Sequence, residues 1–360
     1  MIYILYFSLL ITNIACVLVR RNSRVIEAIT VICTIVLMGG NDFNLDYIGY
    51  KAVYDGVYDP HFDHEYGLKL LYFIGNLFRI PYQGMCFIIL GTALCVLLWL
   101  AQKENADLHL ILALYLIFGF IADTIVIRNF IAIVFLTCAL ICLSRKKRVI
   151  GLLFLLASLL FHKTMLFYFP LLLIRCDNPK IRKIAAWGGA SVVAVCMVVF
   201  AFGGRFEKIA NFVVNIIYGG EDNIYFVGGV RYGFLVYFFV HLVTVFTMFY
   251  ARKALLANAP QENSRAAALL DTAYVANCYV ILCFPLLMIS VAMHRWFRNI
   301  MFFNLICLGV TLNSFEPQKI SSKYYRFCLI LLAFAAAWRI LYFFEIPVAF
   351  RQILENNILF

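Results

Sequence analysis

Long, nearly unbroken runs of apolar residues alternate with short polar turns along most of the chain. Such continuous runs are typical of membrane-spanning helices, whereas the strands of a membrane barrel alternate over segments of ~10 residues. In lipid, a helix also satisfies its own backbone hydrogen bonds. We therefore predict an all-α, polytopic membrane protein with about twelve spans (roughly ten to thirteen), in which residues 1–360 form a single transmembrane domain. The predicted spans are 2–19, 25–40, 82–101, 109–122, 127–143, 149–161, 164–174, 184–203, 232–251, 267–293, 297–313 and 324–344.

Two polar stretches are too long to be turns, and we predict that 41–83 and 204–231 form long extracytoplasmic loops. Within the first loop, 65–80 is apolar but carries polar residues at helical spacing. We predict an amphipathic helix over 65–80 that lies at the membrane interface. Its polar arc consists of Glu65, Lys69, Tyr72, Asn76 and Arg79, and the other positions include Leu70, Phe73, Ile74, Leu77 and Phe78.

The composition excludes an ordinary soluble domain. Hydrophobic residues make up 64% of the chain and charged residues 14%, against about 45–50% and about 25% in soluble proteins. Nearly all of the cysteines lie in apolar runs, where cysteine behaves as a small hydrophobic residue, and none has zinc-ligand spacing to a histidine. The first span lacks a basic flank before it and a small-residue cleavage site after it, so we interpret it as a retained helix rather than a signal peptide.

The distribution of charge predicts the orientation in the membrane. The net charge of +11 would suggest nucleic-acid binding in a soluble protein, but in a membrane protein it reflects basic loops on the cytoplasmic side. With an extracytoplasmic N-terminus and about twelve spans, the C-terminus is also extracytoplasmic, and the run Arg145–Arg148 is the strongest cytoplasmic anchor. The basic residues of the predicted cytoplasmic loops are Arg20, Arg21, Arg24, Lys103, Arg145, Lys146, Lys147, Arg148, Arg175, Lys180, Arg182, Lys183, Arg252, Lys253, Arg265, Lys319, Lys323 and Arg326.

Cationic residues also occur on the predicted outer side. An ionisable residue at membrane depth is energetically costly, so it usually marks a functional site. Arg128 lies just inside a predicted helix start, where its guanidinium and the free N–H groups suit an anionic ligand. The alternative for Arg128 is a side chain that extends to the interface. Arg231 opens a later span and is another candidate anion contact.

The segment HRWFRN carries His294, Arg295 and Arg298 near a predicted helix start. Spacings of three and four residues bring them together on a helix. Two arginines and a histidine favour a phosphate-binding cluster. The alternative is an interface anchor that includes Trp296.

Candidate bases lie on the same predicted side. Asp42 and Asp46 directly follow the second span, where they suit a general base or a divalent cation site, and a solvated loop is the alternative. His162 and Lys163 lie in a turn between two apolar runs, where a lone histidine is often structural. The chain contains no phosphate-binding loop, dinucleotide fingerprint, zinc-protease motif or selectivity filter, which weakens the ATPase, channel and transporter interpretations.

Several ordered segments together resemble the EpsG family, a branch of the Wzy-type polysaccharide polymerases. The most specific segment lies between 127 and 173, with an arginine, a helix of small residues, a basic turn, a second helix and Phe-His-Lys-Thr in that order. The other segments are NDFNLDYIGYKAVYDG, HEYGLKLLYFIGNLF, VRYGF and HRWFRNIMFFN, so that the resemblance covers most of residues 1–313. One departure is Asn129, where the family commonly has glutamine, although an amide is kept.

The resemblance implies a glycosyltransferase of the bacterial cytoplasmic membrane with a GT-C-like architecture. Such polymerases of exopolysaccharide, capsule or O-antigen join oligosaccharide repeat units, carried on undecaprenyl diphosphate, on the outer face of the membrane. Arginines would neutralise the diphosphates, and a base would deprotonate the acceptor hydroxyl. The expected diphosphate-binding residues are Arg128, Arg231, Arg295, Arg298, Lys163 and His294. The candidate bases are Asp42, Asp46, Glu65 and His162.

We expect no cofactor, because arginines can neutralise a diphosphate. The alternative is a divalent cation bound by the carboxylates of the first loop. The expected partners are undecaprenyl-diphosphate-linked oligosaccharides, membrane lipid, and chain-length regulators and export proteins, and nucleic acid is not expected. Three alternatives stay open. An O-antigen-ligase-like glycosyltransferase would have the same basic outer cleft. A transporter or flippase of lipid-linked sugar would carry charges along a central path, and a membrane acyltransferase that uses His162 would need a cytosolic acyl donor.

Overall fold

The computed structural model describes residues 2–44, 46–57, 65–174, 191, 234–258, 264–281, 294–315, 320–342 and 345–359. Within these ranges the protein is helical throughout, and its one pair of bridged extended residues is Asn41 with Asn357. The predicted loop 204–231 lies outside the described residues, as do Arg231 and the predicted span 184–203 apart from residue 191.

The helices largely follow the predicted apolar runs. A 3₁₀ helix over Lys163–Tyr168 lies between the ninth and tenth α-helices. The α-helices are α1 Ile2–Val19, α2 Arg24–Gly39, α3 Tyr47–Tyr54, α4 Tyr66–Leu77, α5 Tyr82–Lys103, α6 Leu108–Phe118, α7 Phe120–Ile125, α8 Ile127–Ser144, α9 Arg148–Leu159, α10 Leu171–Ile174, α11 Phe234–Asn258, α12 Ser264–Val280, α13 Arg295–Asn299, α14 Met301–Ser314, α15 Ile320–Tyr342 and α16 Glu345–Glu355.

Four of the described helices are long and apolar enough to cross a membrane, namely α1, α5, α8 and the segment Val236–Leu255 of α11. Other apolar helices, such as α6, α9 and α14, have 10–17 residues. A bilayer-crossing helix usually needs about 20 residues, and about 17 is the lower limit. The all-α class is therefore confirmed for the described residues and the protein is a membrane protein, whereas the count of about twelve spans and the GT-C-like architecture stay predictions.

Three predicted spans are wrong in detail because the helices break inside them. The predicted span 109–122 is divided at Gly119, where an added Cβ atom would lie 2.6 Å from the ring of Tyr115. The predicted span 164–174 begins as a 3₁₀ helix instead of an α-helix. The predicted span 297–313 is divided at Ile300, between α13 and α14. Each break lies close to a candidate residue or to its partner. The 3₁₀ helix follows His162, Ile300 comes two residues after Arg298, and Gly119 is four residues before Asp123, the partner of Arg298.

Helix α8 lies at the centre of the described structure. In its apolar window 78% of the residues are buried, compared with 28% in α1. It packs against α5 on one side and α9 on another, and its fully buried residues include Phe130, Leu136 and Ala139. The first turn of this central helix carries Arg128, so the position of that arginine is fixed by the core.

Hydrogen bonds between distant turns define two ends of the bundle. At the end that we call the basic-loop end, Arg20 Nη1 donates to Leu312 O at 2.8 Å, and Arg265 Nε donates to Glu104 Oε2 at 2.9 Å. Arg145 also donates to Glu104. These turns are the ones that the charge pattern assigns together to the cytoplasm.

The other end, which we call the site end, contains the N-terminus, the turn after α9 and the chain's last helix. Tyr3 Oη donates to Glu355 Oε1 at 3.0 Å, and the backbone N–H of Gly67 donates to Leu160 O at 2.8 Å. The N- and C-terminal segments therefore lie on the same side of the bundle, as the charge pattern predicts.

Helix α4 lies within the predicted amphipathic segment 65–80, and its place at a membrane interface stays a prediction. Its buried residues are Gly67, Leu68, Tyr72 and Gly75. Its opposite face is apolar and exposed, with Leu70, Phe73, Leu77 and Phe78 between 58% and 69% exposed. Of the polar arc, Glu65 and Tyr72 are buried and Lys69 is half-buried, whereas Asn76 and Arg79 are exposed. An exposed apolar face is the arrangement expected for a helix in contact with lipid.

Candidate functional site

Arg128 is the second residue of α8 and is held from two directions. Its Nη1 atom lies 2.5 Å from Glu65 Oε1, and its guanidinium carbon lies 5.9 Å from the centre of the Tyr50 ring. The Glu65 side chain is 4% exposed and that of Arg128 is 15% exposed, so this is a largely desolvated ion pair. It joins the start of α8 to the start of α4.

Arg295 and Arg298 lie on the short helix α13, after His294. The Arg298 side chain is buried, and its Nε atom lies 3.9 Å from Asp123 Oδ1 on α7. Arg295 is half-buried. Ile300 separates α13 from α14, and α13 carries both arginines.

A buried pair of amides connects α8 and α13. Asn129 Nδ2 donates to Asn299 Oδ1 at 2.8 Å, and neither residue is exposed to solvent. Because Asn129 follows Arg128 and Asn299 follows Arg298, this contact sets the distance between the helices that carry the two arginines. The amide at 129 is therefore a structural link between the two helices.

Arg128, Arg295 and Arg298 form what we call the arginine cluster, because their charges act on the same groups. Asp46 is half-buried just before α3, and burial raises the pKa of its carboxyl while all three arginines oppose that rise. Burial is also the main cause that holds the pKa of His162 well below its usual value, and the arginine cluster and Lys163 lower it further. Two segments that are distant in sequence, α8 and α13, thus bring positive charge to both Asp46 and His162.

His162 occupies the N-terminal cap of the 3₁₀ helix and is 3% exposed. Its Nδ1 atom accepts the backbone N–H of Thr164 at 3.2 Å, and the Thr164 hydroxyl lies 2.8 Å from the same atom. The other ring nitrogen, Nε2, is buried and has no hydrogen-bond partner among the residues that the structure describes.

Glu65 lies at the start of α4 and contributes a second carboxyl to the site. Burial raises its pKa to about 7, although the charge and the hydrogen bond of Arg128 act in the opposite direction. One carboxylate oxygen contacts Arg128, and the other, Oε2, is buried without a hydrogen-bond partner among the described residues. Among the described residues, the role of Glu65 is therefore to pair with Arg128 and fix its position.

Close packing at Gly67 fixes the distance between α4 and the turn that carries His162. An added Cβ atom at Gly67 would lie 2.8 Å from the ring of Phe161 and 3.0 Å from Leu160 O. Phe161 in turn stacks on Phe135 of α8, with ring centres 5.4 Å apart. The glycine of the HEYGL segment thus has a steric role that the sequence did not reveal.

The C-terminal segment holds the loop that precedes Asp46, although the sequence alone gave it no role. Asn41 Nδ2 donates to the carbonyl oxygens of Ile353 and Asn356 at 3.3 and 2.9 Å, and Asn44 Nδ2 donates to Asn41 Oδ1 at 2.7 Å. Asn44 Oδ1 then accepts the backbone N–H of Asp46 at 3.0 Å. A chain of amides therefore runs from the tail to Asp46.

The remaining predicted residues lie at different distances from this centre. Lys163 is half-buried, and its charge acts on Glu65 and His162. His294 is half-buried and stacks on Tyr237, with ring centres 4.7 Å apart. Asp42 is exposed, and its backbone N–H donates to Asn356 O.

Four residues of the site were missed in the sequence: Tyr50, Asp123, Thr164 and Asn299. Asp123 is five residues before Arg128, but its partner Arg298 is far away in sequence and only folding pairs them. Thr164 follows His162 by two residues, the spacing of a side-chain cap, and this signal was available. Nothing in the local sequence marks Tyr50 or Asn299.

The described residues contain no group of three or more His, Cys, Asp or Glu that could hold a metal ion. The fold and the site together define a helical membrane protein with a buried cationic site at one end of its bundle. Comparison with protein families matches the EpsG family over residues 25–350, and the chain therefore belongs to the EpsG family. Searches of curated proteins and of solved structures gave no significant match.

Proposed function

We propose that this protein is a polysaccharide polymerase that joins undecaprenyl-diphosphate-linked oligosaccharide repeat units on the outer face of the cytoplasmic membrane. The EpsG family indicates a polysaccharide polymerase-like membrane protein. The observation that carries the finer proposal is the convergence of the arginine cluster on Asp46 and His162 at the site end.

The cluster suits the departure of a diphosphate. In the proposed step, the acceptor hydroxyl oxygen bonds to the anomeric carbon of the donor while the bond from that carbon to the diphosphate oxygen breaks. Negative charge then develops on the leaving polyprenyl diphosphate, where preorganised guanidinium groups stabilise it in a desolvated site. Arg128 and Arg298 are both largely buried, so their charges are weakly screened.

Asp46 is the carboxylate that best fits the role of general base. It is half-buried and lies within the electrostatic reach of all three arginines, and its side chain does not cap α3. Glu65 is held by Arg128, and Asp42 is exposed. Burial raises the pKa of Asp46, which strengthens it as a proton acceptor for the attacking hydroxyl.

The exposed apolar face of α4 supports a lipid-linked substrate. Leu70, Phe73 and Leu77 lie on it, and the same helix begins beside Glu65. A polyprenyl chain could therefore lie against this face while its diphosphate reaches the arginine cluster. This placement would account for the position of α4 directly after Glu65, the partner of Arg128.

The proposal is tested with purified protein in nanodiscs and the matched undecaprenyl-diphosphate repeat unit. Polymer ladders are compared for wild type, Arg128→Ala, Arg298→Ala and Arg351→Ala. We expect the first two changes to lower the rate roughly 100-fold, because each removes a charge-assisted contact worth ~3 kcal/mol in the transition state. Arg351 is an exposed arginine at the same end, 73% exposed, so its replacement is the matched control and should leave the ladder unchanged.

A full ladder in Arg128→Ala and Arg298→Ala would overturn the arginine mechanism. Wild-type protein that binds the substrate but forms no ladder would overturn the polymerase proposal. Transfer of a single finished chain to a lipid acceptor would then favour the ligase alternative, and movement of the unit across the bilayer would favour the flippase alternative.

A further inference from the structure

We propose that His162 acts as a neutral hydrogen-bond donor, whose Nε2–H group binds a phosphate oxygen of the lipid-linked substrate. This inference rests on the proposed function and deepens it, since it assigns the ligand of one atom in the site. It also removes His162 from the candidate bases that the sequence suggested.

The backbone of Thr164 fixes the tautomer of the ring. A backbone N–H can only donate, and it points at His162 Nδ1 from 3.2 Å, so Nδ1 must present its lone pair. The Thr164 hydroxyl, 2.8 Å from the same atom, then donates as well. In a neutral imidazole the proton must therefore reside on Nε2.

A second proton on this ring is opposed by all of its surroundings. An imidazolium would place N–H at Nδ1 against the N–H of Thr164 and break the cap of the 3₁₀ helix. The side chain is also buried among the positive charges of the arginine cluster and Lys163. His162 consequently has no free lone pair with which to accept a proton from a hydroxyl.

The Nε2–H group needs an acceptor from outside the described protein. It is buried, and none of the described residues accepts from it. A buried donor without a partner is destabilising, so a bound acceptor oxygen is favoured because it removes that cost. Either a sugar hydroxyl or a phosphate oxygen could accept from this donor. The positive charges of the arginine cluster and Lys163 all act on His162, and they favour a negatively charged oxygen over a neutral hydroxyl. We therefore assign the ligand class as a phosphate or diphosphate ester.

The decisive comparison is between His162→Gln and His162→Phe. Glutamine can place an N–H near the position of Nε2 but cannot act as a base, and phenylalanine keeps the ring shape without a donor. Binding of undecaprenyl diphosphate to protein in nanodiscs is measured alongside ladder formation. We expect Gln to bind within about threefold of wild type and to form polymer, and Phe to bind roughly tenfold to thirtyfold more weakly.

Loss of polymer in both variants with unchanged diphosphate binding would overturn the donor role and restore His162 as a base. Equal binding by wild type and Phe, with polymer retained, would also overturn it. Suppose that wild type and His162→Gln bind undecaprenyl diphosphate more tightly than His162→Phe, but that wild type makes no polymer. The donor role of His162 then stands, and the proposed function fails. Melting midpoints of both variants show whether weaker binding reflects misfolding.

A spectroscopic measurement tests the tautomer without any substrate. In ¹⁵N-histidine-labelled protein, the His162 signals are assigned by difference from His162→Gln. We expect a directly bound proton at Nε2 and none at Nδ1. A proton at Nδ1, or at both nitrogens near neutral pH, would overturn the inference whether or not the protein is a polymerase.

Discussion

At the scale of single residues, the site depends on charged groups whose electrostatic interactions are strong because the groups are buried. Glu65 and Arg128 form a largely desolvated ion pair, and Asp123 and Arg298 form a looser one. Removing one partner of such a pair leaves an uncompensated buried charge, which is more damaging than the pair itself is stabilising. The pKa of Glu65 is the clearest measurable consequence.

We predict that Glu65 makes stability depend on pH between about 4.5 and about 7. Burial raises its pKa from 4.5 to about 7, so the folded protein holds the proton more tightly than the unfolded chain. The protonated Glu65 carboxyl adds up to about 3 kcal/mol to the free energy of unfolding. This contribution is fully present below pH 4.5 and is lost as pH rises through about 7. The melting midpoint in nanodiscs should therefore fall over this window in wild type.

Glu65→Gln should remove that part of the slope, since glutamine does not titrate. Glu355→Gln is the control, because Glu355 is an exposed carboxyl at the same end, and it should leave the slope in place. An identical slope in wild type and Glu65→Gln would show that the Glu65 carboxyl does not titrate in this range.

At the scale of elements, function depends on short helices and turns that the core brings into register. Helix α4 lies against the 160–162 turn through Gly67, and α13 lies against α8 through Asn129 and Asn299. Each contact involves only a few atoms. A shift of α4 or α13 by a few tenths of an ångström would therefore move the site residues that these helices position by the same amount. Glycine positions in the first loop offer a direct test.

We predict that Gly67→Ala lowers both stability and polymer formation, whereas Gly49→Ala does not. The Cβ atom at Gly67 would lie 2.8 Å from Phe161, while at Gly49 nothing lies within 4 Å. Overpacking of this kind costs about 1–3 kcal/mol, and an open helical site gains about 0.4–1 kcal/mol from alanine. Melting midpoints and ladders measured on both variants check this. Equal effects at the two positions would contradict the packing argument.

At the scale of the whole molecule, the charge pattern and the tertiary contacts agree on which turns lie together. The turns at Arg20, Glu104 and Arg265 share one end, and Tyr3, Asn41 and the C-terminal helix share the other. The positive-inside rule then assigns the basic-loop end to the cytoplasm.

We predict that reporter fusions give opposite results at the two ends. Alkaline phosphatase, which is active only outside the cytoplasmic membrane, should be active when fused after Phe360 and inactive when inserted at Lys146. A fluorescent protein that matures only in the cytoplasm should give the reverse pattern. Phosphatase activity at Lys146 with none at Phe360 would reverse the orientation and move the site to the cytoplasmic face.

The sequence predicted the class of protein and the approximate bounds of the helices, and it named most of the charged residues that the structure brings together at the site end. Long apolar runs dictate helices in lipid, and costly charges such as Arg128 and Arg298 indicate a site even without coordinates. The break at Gly119 was not predicted because apolar residues flank it on both sides, and the break at Ile300 was not predicted because Arg298 and Asn299 before it were interpreted as part of a candidate site. The role of the tail was also hidden, since Asn41 and Asn356 are far apart in the chain and only folding pairs them.

The sequence by itself determined that this is an all-helical membrane protein of the EpsG family with cationic residues gathered on one predicted side. Those properties follow from composition and order, which act locally along the chain. Only the tertiary structure decided that Glu65 holds Arg128, that Asp46 lies within reach of three arginines, and that His162 gives its Nδ1 lone pair to Thr164. Protonation and pairing depend on burial and on neighbours from distant segments, and these exist only once the chain is packed.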